Sequence, residues 1–292
     1  MNSLTISSPA KVNLFLKILG KRRGGYHNLY TLFHRISLAD TLTLQKIPSG
    51  IRIQTNITNL PTGSGNLIWK AFYLLQKSHP FRGGVLVNLK KQIPVGAGLG
   101  GGSSNAASFL LGVKKLYRLK ISNKKLRKIG SKLGADVNFF LTESGQSIGT
   151  GIGDQLRPLS SGKRLWFVVV TFPKLLSTAK VYRLYGLRHS NPRFLTKENR
   201  VVKLAYCFRT GNLHEMQPFL ENDLQAASVK LYAPIGRALQ LFDELGVRTR
   251  AMSGSGPTVF AVVGSRARAE KLAKQVRARL RPYKKIFISH TL

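Results

Sequence analysis

Five glycines fall within seven positions of Pro94-Val95-Gly96-Ala97-Gly98-Leu99-Gly100-Gly101-Gly102-Ser103-Ser104-Asn105, and two hydroxyls and an amide follow them. Glycine admits φ > 0 and lets backbone approach a ligand without a Cβ in the way. Residues 104–117 carry a helical apolar period, so the loop opens a helix. N–H groups at such a start point outward beside the positive end of the helix dipole, an arrangement suited to phosphate. No Gly-Lys-Ser/Thr follows the glycines, as a Walker A loop needs. No acidic residue lies about 20 positions on, as the Rossmann fingerprint needs. The chemistry indicated is nucleotide-phosphate binding outside both architectures. A flexible linker is the competing reading, and the apolar residues on both flanks argue against it.

Carboxylates that do chemistry are easier to find here because there are few of them. Eleven Asp and Glu oppose 47 Lys and Arg, for a formal net charge of +36. Asp136 in Gly134-Ala135-Asp136-Val137-Asn138-Phe139-Phe140, Asp154 beside glycines, and Glu221 and Asp223 in Glu-Asn-Asp-Leu occupy compact contexts. Taken alone, Asp136 is equally suited to capping the turn before Phe139. Lys11, in Ser8-Pro9-Ala10-Lys11-Val12-Asn13-Leu14-Phe15-Leu16, taken alone is an ordinary strand-end lysine. Asn13 is two residues on and faces the same side of a strand.

The Lys11 segment, the glycine loop and Ala251-Met252-Ser253-Gly254-Ser255-Gly256-Pro257-Thr258 occur in this order across the chain. Together they resemble the GHMP kinases, the small-molecule kinases that include those of galactose, homoserine, mevalonate and phosphomevalonate. Gly20-Lys21-Arg22-Arg23-Gly24-Gly25-Tyr26-His27-Asn28-Leu29 and the Asp136 segment narrow the resemblance to the branch acting on 4-diphosphocytidyl-2-C-methyl-D-erythritol. That resemblance implies ATP-dependent phosphorylation of the substrate's 2-hydroxyl, a step of the non-mevalonate route to isoprenoid precursors. It implies that Asp136 is the catalytic base and that Lys11 supplies positive charge to it and to the transferring phosphoryl group. Asn66 and residues Pro94 to Asn105 would bind ATP, with Mg2+ expected alongside and no protein ligands assigned to it. Asn13 would contact a substrate hydroxyl, and Tyr26 and His27 the cytidine. Thr178 and Tyr182 match the family's threonine and second aromatic, so His27 and Tyr182 would sandwich the cytosine. Gly24, Asn138 and Ala179 depart from the family's usual aspartate and two prolines, and none of these removes a named catalytic group. The rivals are another GHMP kinase of homoserine or mevalonate type, which has no need of a base-stacking Tyr-His pair, and an RNA-binding protein on the same fold.

These residues must be held by a chain of 292 residues, for which two domains are expected. The strand-like stretches are 4–8, 11–19, 30–37, 41–45, 51–55, 84–90, 145–149, 166–172, 248–251, 258–263 and 286–290. Helical periods cover 66–77, 104–117, 122–133 with Ser122 as N-cap, 201–209, 216–220, 224–227, 234–245 and 267–280. Strands and helices interleave without a strict βα repeat, which favours α+β. The polar stretch 156–164 is the expected boundary, giving domains 1–160 and 161–292. By resemblance the first has the ribosomal-protein-S5-like fold and the second is ferredoxin-like.

Hydrophobic content of 43% suits a globular protein, and no apolar run is long enough to span a bilayer. The N-terminus reads as neither a signal nor a transit segment. Cys207 is the only cysteine, so no intrachain disulfide forms, and a small buried hydrophobe in a cytoplasmic protein is expected. The histidines show no metal-ligand spacing. Nine Lys or Arg lie between Lys114 and Lys132 with no acid, and nine more between Arg266 and Lys285 with only Glu270 opposing. Such runs are usually solvated helix faces, and the charge supports weak, salt-sensitive polyanion binding and nothing more specific.

Overall fold

The computed structural model describes residues 1–22, 25–160, 162–186 and 198–292. Its elements run β1 Ser3–Lys21, β2 His27–Ile47, β3 Ile51–Thr55, α1 Leu67–Ser78, β4 Gly84–Lys90, α2 Gly101–Leu116, α3 Asn123–Leu133 and α4 Val137–Phe140. There follow β5 Gln146–Thr150, β6 Gln155–Leu159, β7 Trp166–Thr171, α5 Thr178–Gly186, α6 Glu198–Thr210, α7 Leu213–Met216 and β8 Glu221–Asn222. The chain ends with α8 Gln225–Leu231, α9 Pro234–Glu244, β9 Arg250–Met252, β10 Val259–Val263, α10 Arg266–Arg279 and β11 Lys285–His290. The content is mixed α+β. Gly24, one of the three departures, lies outside the described residues.

Two compact units share this chain. The first is Met1–Ala10, Ala39–Val95 and Gly100–Glu143; the second is Lys11–Leu38, Gly96–Leu99 and Ser144–Leu292. The boundary expected near residue 160 falls inside the second unit. The reason is that β1 and β2 are each one long strand where two short ones were expected, and each contributes to both units. Pro9 does not interrupt β1, and the polar stretch after Gly153 pairs as β6 against β5 in place of forming a linker.

In the first unit β4 lies between β2, antiparallel to it, and β3, parallel to it. Val85, Val87 and Leu89 of β4 alternate inward, as a half-buried strand requires. Buried Ile68, Ala71, Phe72 and Leu75 form one side of α1. α3 starts where the sequence placed it, with the Ser122 hydroxyl accepting from the Lys125 N–H at 3.3 Å.

The second unit carries an antiparallel sheet ordered β11-β7-β10-β9. All of β10 and most of β7 are buried on both faces. Val168, Val170, Val259, Ala261 and Val263 pack in one core with residues of α8, α9 and α10. On β7, Phe167 alternates to the other face and meets Phe208 of α6, with ring centroids 6.3 Å apart. Glu221 and Asp223 tie β8 to β1 through Lys17 Nζ, at 2.9 and 2.6 Å. Cys207 is buried in α6. No helix of the described residues is long and apolar enough to cross a membrane.

His34 is buried against Phe167 and Phe208, with its Nδ1 2.8 Å from the Arg35 carbonyl oxygen. Burial holds its pKa down at about 4, so the folded protein keeps this ring neutral. The unfolded chain binds that proton near pH 6.5. Stability from the neutral ring is therefore full above pH 6.5 and lost as pH falls toward 4, by up to about 3 kcal/mol. Urea unfolding of His34→Gln should show a flatter pH dependence than the parent across this window.

Candidate active site

The glycine loop alternates in conformation. Gly96, Gly98 and Gly100 take φ of +67°, +78° and +69°, while Ala97 and Leu99 between them are buried. The apolar residues anchor the loop inward and the left-handed glycines turn its backbone outward. Ala97 and Leu99 therefore offer a ligand only main-chain groups. Gly100 is the N-cap of α2, no side chain caps that end, and its first turn holds no acid. That leaves the helix start available to phosphate.

A Cβ on Gly98 would stand 2.6 Å from the Ser253 carbonyl oxygen and 3.1 Å from that of Gly256. Ser253 Oγ also donates to the Gly98 carbonyl at 3.0 Å. The segment after β9 thus clasps the loop by backbone contact, a role the sequence did not assign to Ser253. The advance signal was its place among the three segments that carry the family resemblance, which implied a loop shaping the site.

Lys11, in β1 of the same unit, is buried, and its N–H donates to the Leu99 carbonyl at 3.0 Å. Its Nζ donates to Asn13 Oδ1 at 2.7 Å and lies over the Phe33 ring at 5.3 Å. Asn13 Nδ2 donates to Thr31 Oγ1 at 2.9 Å, and Thr31 Oγ1 donates in turn to the Phe15 carbonyl at 2.6 Å. Asn13 is buried and holds the ammonium, with one lone pair and one amide hydrogen left by this count. Thr31 carried no signal in the sequence.

In the first unit Asp136 precedes α4 and is half-buried. Its side chain does not cap that helix, so the capping alternative is excluded. Ser103 Oγ would lie 3.9 Å from a Cβ on Gly134, placing the first turn of α2 beside the Asp136 segment. Ser104 and Asn105 are buried, and Ser104 Oγ accepts from Ser8 Oγ at 2.8 Å. Asn138 is buried and donates to Ser131 Oγ at 2.8 Å, joining α4 to α3 where the family usually has a proline. Asn66 caps α1: its Oδ1 accepts from the Ile68 N–H at 2.9 Å and its Nδ2 donates to the Pro61 carbonyl at 2.7 Å.

The family models for the GHMP kinases N terminal domain and the GHMP kinases C terminal match residues 66–145 and 204–281. The 4-diphosphocytidyl-2-C-methyl-D-erythritol kinase of Moorella thermoacetica is 36% identical over 100% of both chains. The chain belongs to the GHMP kinase family. A crystal structure of 4-(cytidine 5'-diphospho)-2C-methyl-D-erythritol kinase superposes with a TM-score of 0.83 at 31% identity, over 99% of both chains. Homoserine kinase from Cytophaga hutchinsonii reaches 0.76 at 17% identity, over 99% of this chain and 95% of its own, and shares the fold.

On the second unit of this GHMP kinase, Tyr26 is exposed and His27 meets Tyr182 of α5, with ring centroids 4.8 Å apart at 30°. The rings touch. A base between them would need a separation of about 7 Å, twice an aromatic contact distance, so the two rings as they stand leave no room for the expected sandwich. Burial, and secondarily Lys21, lowers the His27 pKa, which favours the neutral imidazole. Thr178 opens the helix that carries Tyr182 one turn later, and Thr178 Oγ1 lies 2.9 Å from Ser255 Oγ. The sequence had left this helix unassigned.

Gly98→Ala adds a clash to left-handed strain, whereas Gly246→Ala, at φ +73° with no atom within 4 Å of its Cβ, adds strain alone. The first should cost about 2–4 kcal/mol and the second about 1–2 kcal/mol in chemical unfolding. Equal losses would show that the clasp yields freely.

Proposed function

We propose that this kinase transfers the γ-phosphoryl group of ATP to the 2-hydroxyl of 4-diphosphocytidyl-2-C-methyl-D-erythritol, in the non-mevalonate route to isoprenoid precursors. The observation that carries the reading is the glycine loop. Its left-handed glycines and uncapped helix start are joined in sequence and fold to a relative of that specificity at 36% identity. Phosphoryl transfer asks the protein mainly for positioning and charge stabilisation. Main-chain groups from Pro94 to Gly102 and the Ser103 hydroxyl bind the phosphates, and Asn66 lies on the adenine side. Ser104 and Asn105 serve from beneath.

Asp136 accepts the proton of the attacking hydroxyl. Lys11, aimed by Asn13, stabilises negative charge on the transferring group. Asn13's remaining capacity is offered to a substrate hydroxyl. Mg2+ would accompany ATP and supply neutralisation of phosphate charge. Among the described residues no three His, Cys, Asp or Glu cluster as a metal site. The Ser103 hydroxyl, in the first turn of α2, would be a protein oxygen available to such an ion. Tyr26, His27, Tyr182 and Thr178 take the cytidine half. ATP and the substrate are both polyanions drawn by the +36 charge, which also supports weak, salt-sensitive binding of other polyanions. A lone cysteine and charged, soluble substrates suit the cytoplasm.

ATP consumption tests this directly. The parent should turn over 4-diphosphocytidyl-2-C-methyl-D-erythritol but neither homoserine nor mevalonate. Asp136→Asn should keep nucleotide binding and lose about 100-fold or more in kcat. Near-normal turnover would remove Asp136 from the role of base, and salt-resistant RNA binding without ATPase activity would favour an RNA-binding protein.

A second comparison isolates the aromatic pair. Tyr182→Ala should raise KM for the cytidine substrate about 10-fold, within the range of a lost base stack, and leave KM for ATP unchanged. An equal rise in both constants would assign Tyr182 to the fold.

A further inference from the structure

We propose that a fully buried ion pair, Asp40 with Lys91, is the positioning element of the phosphate loop, and that its two charges must cancel for the loop to accept the ATP triphosphate. The inference rests on the ATP-binding reading above. The residues of the hydrogen-bond network and the two ends of the loop it holds belong to the first unit.

Asp40 of β2 is completely buried and its carboxylate holds both ends of the loop. Oδ1 accepts from the Gln92 N–H at 2.7 Å and the Ile93 N–H at 2.8 Å, immediately before Pro94. Oδ2 accepts from Lys91 Nζ and, at 2.9 Å, from Asn105 Nδ2 in α2. Lys91 Nζ donates also to Asn105 Oδ1 at 3.1 Å. The second hydrogen of Asn105 Nδ2 goes to Ser8 Oγ at 2.9 Å, and Ser8 donates onward to Ser104 Oγ. One carboxylate thus fixes where the loop leaves β4 and where it enters α2.

Position adds an electrostatic consequence. A Cβ on Gly101 would stand 3.2 Å from Lys91 Nζ, so the ammonium lies under the first residue of α2. The pair sits beneath the N–H groups assigned to phosphate. A carboxylate there without its ammonium would repel a triphosphate through a weakly screening interior. With both charges removed, an amide at position 40 still accepts the Gln92 and Ile93 N–H groups.

The test compares the full-length parent, Lys91→Met and the double variant Asp40→Asn with Lys91→Met. The readouts are KM for ATP, KM for 4-diphosphocytidyl-2-C-methyl-D-erythritol, and thermal unfolding. Lys91→Met should raise KM for ATP about 10-fold or more, because one buried charge is left uncancelled, and leave the other KM within about twofold. Neutralising Asp40 as well should recover most of that loss. A pair that only supports the fold gives a double variant no better than the single, or equal rises in both constants, and either result overturns the proposal. Should Lys91→Met fail to fold, Ser8→Ala decides. It breaks the link from Asn105 to Ser104 without changing charge, and should raise KM for ATP about threefold, roughly one lost hydrogen bond; an unchanged KM overturns the proposal. A parent that never consumes ATP defeats the kinase reading itself, and this inference with it.

Discussion

Backbone packed on backbone at Gly98 is the constraint on which the shape of the glycine loop depends. The carbonyls of Ser253 and Gly256 come so close that position 98 has no room for a side chain. The left-handed φ there favours glycine independently. Ala97 and Leu99, on either side of it in sequence, are buried. A loop so pressed and so anchored holds its N–H groups in place before any ligand arrives, so little ordering remains to be done on binding. The loop and its clasp both meet β1: the Lys11 N–H donates to the Leu99 carbonyl and the Asn13 N–H donates to Ser253 Oγ.

Charge is organised by the same economy of acids. Asp40, Glu221, Asp223, Asp243, Glu244 and Glu270 each pair with a Lys or Arg of their own unit. The exposed pairs contribute little to stability, and the Asp40–Lys91 pair is buried on both sides. With 47 Lys and Arg against 11 Asp and Glu, the chain carries a large excess of positive charge, whose field is screened by salt.

Much of the site was legible where local chemistry decides. Ser122 capped α3 as read, because a hydroxyl before an apolar period has one good acceptor role. The glycine loop opened a helix, because glycines followed by a helical period leave few other conformations. Segments whose partners are distant in sequence were harder to read. Residues 4–8 and 11–19 fused into β1, and 30–37 and 41–45 into β2, because sheet pairing carries a strand across residues of weak propensity. Residues 156–164 looked like a linker and yielded β6, since the pairing with β5 outweighs its polar composition. The helix carrying Tyr182 is short and has only one fully buried residue, Val181, so its apolar period was too weak to notice.

The sequence by itself determined the family and its kinase chemistry: a glycine loop, a lysine, an aspartate and a Tyr-His pair, recognisable together because their residue types and order are specific. Tertiary structure alone decided who holds whom. Asp40 and Lys91 are 51 positions apart, and Ser253 and Gly98 are 155 apart. Hydrogen bonds between such residues exist only once folding has brought the strands together, and no local propensity encodes them.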